Sequence, residues 1–189
     1  MKQKSQTPWL FRKPYTSRDY PGIMTKVPLD FDRKLLYNEA EQFDFNDPPI
    51  DPWELAEDMI KFMREHKGYG LAANQIGLPY KMFVTEGEPA FAVFNPRITY
   101  RDPTDIKLDE ACLSFPNLIL NIKRPASIRV RFQDPNGDFV VKQFAGMSAR
   151  IFQHEFDHLE GVDYTTRVSK LKYKMAVKKT QKQAKRGKI

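Results

Sequence analysis

His154 and His158 stand four residues apart with Glu155 beside the first, and this spacing is where the chemistry of the sequence concentrates. On a helix, residues i and i+4 lie one above the other on a single face, so two imidazoles so placed can grip one metal ion. A carboxylate next to them can take the proton of an attacking water, an arrangement suited to metal-assisted hydrolysis. Without a metal, the same residues are two core histidines beside an ion-paired glutamate. H-E-x-x-H supplies only two protein ligands, and the source of a third decides the chemistry.

Downstream there is none to be had. Gly161 continues the spacing H-E-x-x-H-x-x-G-x-x-H of one class of metalloprotease, but the final position is Tyr164, and a phenol substitutes poorly for imidazole. Glu160 and Asp163 are too close in sequence to fold back onto the metal face, and after Asp163 the chain has no Asp, Glu, His or Cys. The third ligand must lie upstream. Cys112, within EACLS, is the best candidate, because thiolate is a strong ligand for zinc or ferrous iron. Two alternatives stay open for it: an inert buried thiol, or a nucleophile with His66, His154 or His158 as its base. A single cysteine makes no internal disulfide, which agrees with a reducing compartment.

The elements that must carry these groups follow from patterning. Asp51 suits a helix N-cap, Pro52 the first helical position and Glu54 a capping-box spacing; Leu55, Met59, Phe62 and Met63 form the apolar stripe, and Gly68 ends the helix. GYGLAANQIG, Gly68 to Gly77, follows; its small residues let something approach the backbone closely, and by composition it is a turn packed under a sheet with Gln75 as its largest polar group. Lys81–Thr85 and Phe91–Phe94 read as strands, with Asn95-Pro96 breaking the second, and Arg101–Asp109 as a charged loop. Leu118, Leu120 and Ile122 alternate, as do Ile128, Val130 and Phe132, and the turn DPNGD at 134–138 joins the latter strand to one at 139–144. Gly146 or Ser148 opens a helix bearing Ile151, His154, Glu155 and His158, and Gly161 stops it. Val168, Leu171 and Met175 make a short stripe able to dock a further turn or two, while the chain beyond Val177 is too polar to pack.

The fold class expected is α+β: antiparallel sheets packed around a central helix carrying H-E-x-x-H, plus an N-terminal helix and a basic C-terminal tail. At 189 residues one catalytic domain over 27–167 is expected, flanked by an arm at 1–26 and the tail at 168–189. The net charge of +7 divides unevenly. Residues 168–189 hold nine Lys/Arg and no acid and residues 1–26 hold six against Asp19, leaving 16 basic and 23 acidic residues in 27–167. A nucleic-acid signal therefore belongs to the ends and not to the body. No run of 18 or more apolar residues suggests a membrane span, and the basic N-terminus lacks the apolar segment of a secretory signal. The expected location is the cytoplasm, or an organelle or phage-infected host cell.

GYGLAANQIG, EACLS and QHEFDHLEG, in this order and at these separations, resemble the three motifs of the peptide deformylases, GxGLAAxQxG, EGCLS and QHExDHL. The resemblance covers roughly residues 29–167. It implies one divalent ion, Fe²⁺ or Zn²⁺, on Cys112, His154 and His158, and a substrate of N-formylmethionyl peptides from which formate is released. It implies Glu155 as the base that takes the proton of the attacking water and passes it to the leaving amine, with the Gln75 side chain and the Leu113 backbone N–H as oxyanion donors. It implies that Gly70 aligns the substrate through its backbone. Tyr69, Met147 and Ile151 are candidates, with Leu113, for an apolar methionine pocket; each could equally be core. Asp157 is expected to orient a ligating histidine, and Arg150 either to pair with Glu110 or to guide the peptide. Ala111 departs from the family's usual glycine, which would strain the backbone by roughly 1 kcal/mol if the position needs a positive φ. For an enzyme of nascent chains, the basic tail 168–189 suggests ribosomal RNA as a partner, with mere solubilisation as the alternative.

Overall fold

Asp51 ends the irregular stretch before it by accepting from the backbone N–H groups of Trp53 and Glu54 at 3.0 and 2.9 Å, capping helix α2 (Pro52–Glu65). The computed structural model to which this helix belongs describes residues 33–187, so the expected arm at 1–26 lies outside them. A single helical turn, α1 (Arg33–Leu36), comes before α2. The stripe Leu55, Met59, Phe62 and Met63 is buried as the spacing predicts. The end of α2 differs: Lys67, and not Gly68, takes the positive φ, at 57°. Gly68 is small for another reason, since a Cβ there would lie 2.9 Å from Leu113 Cδ1.

Five strands, β1 (Gly70–Ala72), β2 (Met82–Thr85), β3 (Phe91–Arg101), β6 (Ser127–Gln133) and β7 (Phe139–Ala145), form an antiparallel sheet in the order β1-β2-β3-β6-β7. Strands β4 (Asp105–Cys112) and β5 (Phe115–Pro125) pair as a separate antiparallel hairpin. Helix α3 (Gly146–Leu159) packs against β1, β2, β6 and β7; its Phe152 meets Phe83 edge-on at 4.9 Å and Phe144 at 5.4 Å. Fold class and hairpin positions agree with the expectation of α+β with antiparallel sheets.

Three local expectations are corrected. Asn95-Pro96 does not end its strand, because Asn95 adopts φ 49° at a bulge and β3 resumes its pairing at Arg97. The stretch 101–109 is not a loop: β3 reaches Arg101, and β4 begins at Asp105 with Ile106 and Leu108 turned inward between charged neighbours. The C-terminal segment is helical for longer than the turn or two expected, since Lys170–Ala184 forms helix α4, capped by the Ser169 side chain and running past Val177. Its docked face is also not the expected stripe: Tyr173, Ala176 and Val177 pack on β5 beside Val168, while Leu171 and Met175 point outward at 68% and 63% exposure. Among the described residues no helix is long and apolar enough to cross a membrane.

Candidate active site

Cys112 stands at the end of β4, where the ladder to β5 loses its register between Glu110 and Cys112. His154 and His158 project from successive turns of α3, their rings 5.0 Å apart at 79°. All three are buried, and one ligand atom from each lies within 4.8 Å of the others; Cys112 Sγ is 3.3 Å from His158 Nε2. One thiolate and two imidazoles converging on one point fit a zinc or ferrous ion, with room in the coordination sphere for substrate. Among the described residues this is the only group of three or more His, Cys, Asp or Glu able to hold a metal.

The orientation of His154 comes from Glu110, which the sequence offers only as a possible partner of Arg150. Glu110 Oε2 lies 2.9 Å from His154 Nδ1, turning the imidazole's other nitrogen toward Cys112. Burial would push the Glu110 carboxyl up, but its bonds to His154 and Arg124 hold it well below the usual carboxylate range. Arg124 is equally buried and grips Glu110 through Nε at 2.6 Å and Nη2 at 2.9 Å. Asp157, expected to orient a histidine, instead accepts from Arg124 and Arg167. Arg150 pairs with Glu110 at 2.9 Å and also donates to the Ile122 and Ile106 carbonyls, which leaves it committed to the interior. The one available signal was alternation: Arg124 continues the inward series Leu118, Leu120, Ile122, and Glu110 shares its strand face with Cys112.

Burial works against a proton on His154, but Cys112 and Glu110 beside it raise its pKa to about 10; burial and the charge of His154 push His158 well down. A metal must displace the His154 proton, so loading is favoured by higher pH. Glu155 lies against Gly70, where a Cβ would stand only 2.7 Å from its Cδ; the glycine is there to admit the carboxylate. Burial pushes the Glu155 carboxyl up to about 7, with the Glu110 charge assisting and His154 and Arg124 opposing. Its Oε2 is buried without a hydrogen-bond partner, as a proton acceptor awaiting substrate would be.

Gln75 ends the small-residue segment in the 3₁₀ turn Ala73–Ile76, its Oε1 accepting from the Ala72 N–H at 2.8 Å. This fixes Nε2 toward the metal group, 3.5 Å from Cys112 Sγ and 3.1 Å from Ser114 Oγ. Leu113 sits in the turn between β4 and β5, directly after the cysteine. Tyr69 and Met147 are exposed at 71% and 57% and so are not core; Ile151 is half-buried, one turn before Glu155 on α3. Ala111 is exposed and is not among the non-glycine residues of positive φ, Lys67, Asn95 and Asn117, so the substitution brings no such strain. Tyr164 is structural: its hydroxyl donates to the Leu118 carbonyl at 2.8 Å, and its ring lies 5.4 Å from that of His154.

Comparison with known proteins agrees over nearly the whole described chain. A family model described as polypeptide deformylase matches residues 28–174. The peptide deformylase of Wolbachia pipientis wMel is 38% identical over 165 residues, covering 80% of this chain and 90% of its own. That of Thermotoga maritima is 42% identical over 124 residues, 65% of this chain and 76% of its own. Among solved structures, the peptide deformylase of Thermus thermophilus superposes with a TM-score of 0.73 at 36% identity, covering 82% of this chain and 93% of its own. The Synechococcus elongatus enzyme in complex with actinonin gives 0.74 at 30%, covering 82% and 89%.

Proposed function

The chain belongs to the polypeptide deformylase family, metal-dependent hydrolases that remove the formyl group from the N-terminus of newly made polypeptides, and we propose that Cys112, His154, His158, Glu155, Gln75 and Leu113 do this work here. The observation that carries the assignment is the buried convergence of one sulfur and two imidazole nitrogens within 4.8 Å, with the Glu155 carboxylate seated against Gly70 beside them.

Cys112, His154 and His158 would hold Fe²⁺ or Zn²⁺, which when bound supplies the Lewis acidity that makes water a nucleophile at neutral pH. Glu155 takes the proton of the attacking water; raised toward neutrality by its burial, it can also give that proton up to the departing amine. Gln75 Nε2, held by its own amide oxygen on the Ala72 N–H, and the Leu113 backbone N–H supply donors for the oxygen of the formyl group as charge develops on it. Because both donors are fixed by the backbone around them, little reorganisation accompanies the reaction. Gly70 keeps the floor of the site open to Glu155 and offers its backbone to the substrate, and Tyr69, Met147 and Ile151 line the approach for a methionine side chain. The place of action is wherever formylated chains are made, the cytoplasm or an organelle with its own ribosomes.

Formate release from formyl-Met-Ala-Ser tests the assignment. Glu155→Ala is expected to keep its metal and lose turnover, and Cys112→Ser to lose metal; turnover surviving in Glu155→Ala, or cleavage of an internal peptide bond, would overturn it. We also propose that the outward face of α4, with Lys178 and Lys182 beside Leu171 and Met175, meets ribosomal RNA. The support is the eight Lys/Arg of residues 170–186 against no acid, on a helix whose opposite face is occupied by β5.

A further inference from the structure

Behind the two imidazoles runs a line of buried charge that surfaces at Arg167. His154 Nδ1 meets Glu110 Oε2 at 2.9 Å, Arg124 bridges Glu110 with two bonds, and Arg124 Nη1 reaches Asp157 Oδ2 at 2.6 Å. Asp157 then accepts from Arg167 twice, from Nε at 3.0 Å and from Nη2. Arg167 is the one member of this line with substantial exposure, its side chain 45% accessible against 9% for Asp157. It ends the 3₁₀ turn Tyr164–Arg167, two residues before Ser169 caps α4.

The same segment reaches the site by a second route. Cys112, Leu118, Leu120, Ile122 and Tyr164 form one buried cluster, and Val168, Tyr173, Ala176 and Val177 close it. Residues 164–177 therefore touch the cysteine through packing and the histidine through charge.

Two buried carboxylates share Arg124. A buried charge that loses one of its partners is left under-compensated and draws on what remains. Without Arg167, Asp157 depends on Arg124 alone among the described side chains, and the guanidinium has reason to turn toward it and away from Glu110. Glu110 would still hold Arg150, yet the two-pronged grip that sets its oxygens against His154 would loosen.

We propose that Arg167 is a positioning residue of the metal centre: it fixes Asp157, through Asp157 the Arg124 guanidinium, and through Arg124 the carboxylate that orients His154. The inference rests on the metal assignment made above. It makes the root of α4 part of the support of the active site, while the outer face of that helix stays free for a partner.

Metal release to a chelator from the loaded full-length protein tests this, together with the visible spectrum of the Co²⁺ form, which reports ligand geometry. Groups that orient metal ligands typically change affinity by about 10–100-fold, and for the outermost of them roughly 10-fold faster release is expected in Arg167→Ala, with a shifted Co²⁺ spectrum. Arg167→Lys should recover part of the loss, since it keeps the cation and gives up the paired geometry. In an Asp157→Asn background, Arg167→Ala should add nothing. Arg64→Ala, which breaks the surface pair with Glu86 at 2.7 Å, is the control for loss of an ordinary ion pair. Unchanged release and spectrum in Arg167→Ala, or equal acceleration in Arg64→Ala, would overturn the proposal. Cys112→Ser distinguishes the two levels: if it retains metal, the ligand assignment fails, and if it loses metal while Arg167→Ala releases its metal no faster than the parent, the positioning role alone fails. Should Arg167→Ala not fold, Asp157→Asn is read in its place with the same expectation, and Arg167→Lys with a smaller acceleration of release.

Discussion

Gly70 shows how much a missing side chain can decide. A methyl group at this position would stand 2.7 Å from Glu155 Cδ and 2.8 Å from its Cγ, distances carbon atoms do not share, so Gly70→Ala must move the carboxylate. The three atoms nearest to that methyl group all belong to Glu155 and none to a proposed metal ligand. A shift of about 1 Å in a reacting group can lower a rate by about 10²-fold, and a loss of that order in kcat is expected for Gly70→Ala with metal content intact. Elemental analysis alongside formate release checks it; full turnover, or loss of metal in parallel with activity, would contradict the close approach of Gly70 to Glu155. The glycine was legible in sequence only as permission for something to come near. What comes near is Glu155, the proposed base, and that depends on α3 lying across β1, a relation between distant segments that no local pattern encodes. Glu110 and Arg124 were hidden for the opposite reason. A charged residue is by default a surface residue, and only mutual neutralisation inside the fold makes their burial tolerable.

Among the elements, those governed by local rules were readable in advance. The Asp51 cap, the stripe of α2, the β6–β7 hairpin and the stop at Gly161, φ 69°, each follow from short-range chemistry. Those governed by tertiary partners were not. Asn95 before proline looks like a strand end, but its side chain accepts from the Phe43 N–H at 2.8 Å and donates to the Phe43 carbonyl at 2.9 Å and Gln133 Oε1 at 2.8 Å. Those three bonds fasten the chain before α2 to the bulge, and carry β3 through. Asn95→Ala gives up all three at about 1 kcal/mol each, and leaves a less tolerant residue at positive φ for about 1 more, so a loss of about 3–4 kcal/mol is expected. For a chain of this length that lowers Tm by about 6–16 °C. None of the three bonds involves a proposed metal ligand, so kcat per folded molecule should hold; a melting point unchanged from the parent would refute this account of the strand.

For the molecule as a whole, the uneven charge of the sequence becomes a geometric statement once α4 is in place. Tyr173, Ala176 and Val177 commit one face of the helix to β5 and the cluster around Cys112, and the Thr180 hydroxyl extends the docking by donating to the Asn117 carbonyl at 3.2 Å. The opposite face carries Leu171, Met175, Lys178 and Lys182 outward. Deleting the helix therefore confounds two proposed roles, because it uncovers the packing around Cys112, the proposed metal ligand, as well as removing basic charge. Reversing Lys178 and Lys182 to Glu does not, since neither side chain lies on the docked face. If α4 lies along ribosomal RNA, the double variant should bind ribosomes roughly 10-fold more weakly in low salt, and the slope of log affinity against log salt should become shallower by about 2. Turnover of formyl-Met-Ala-Ser and metal retention should both stay at the parent level, because the line from Arg167 to His154 is untouched. Ribosome co-sedimentation across a salt series makes the measurement, and affinity and slope that match the parent would leave α4 as a brace for the active site with no part in recruiting it to nascent chains.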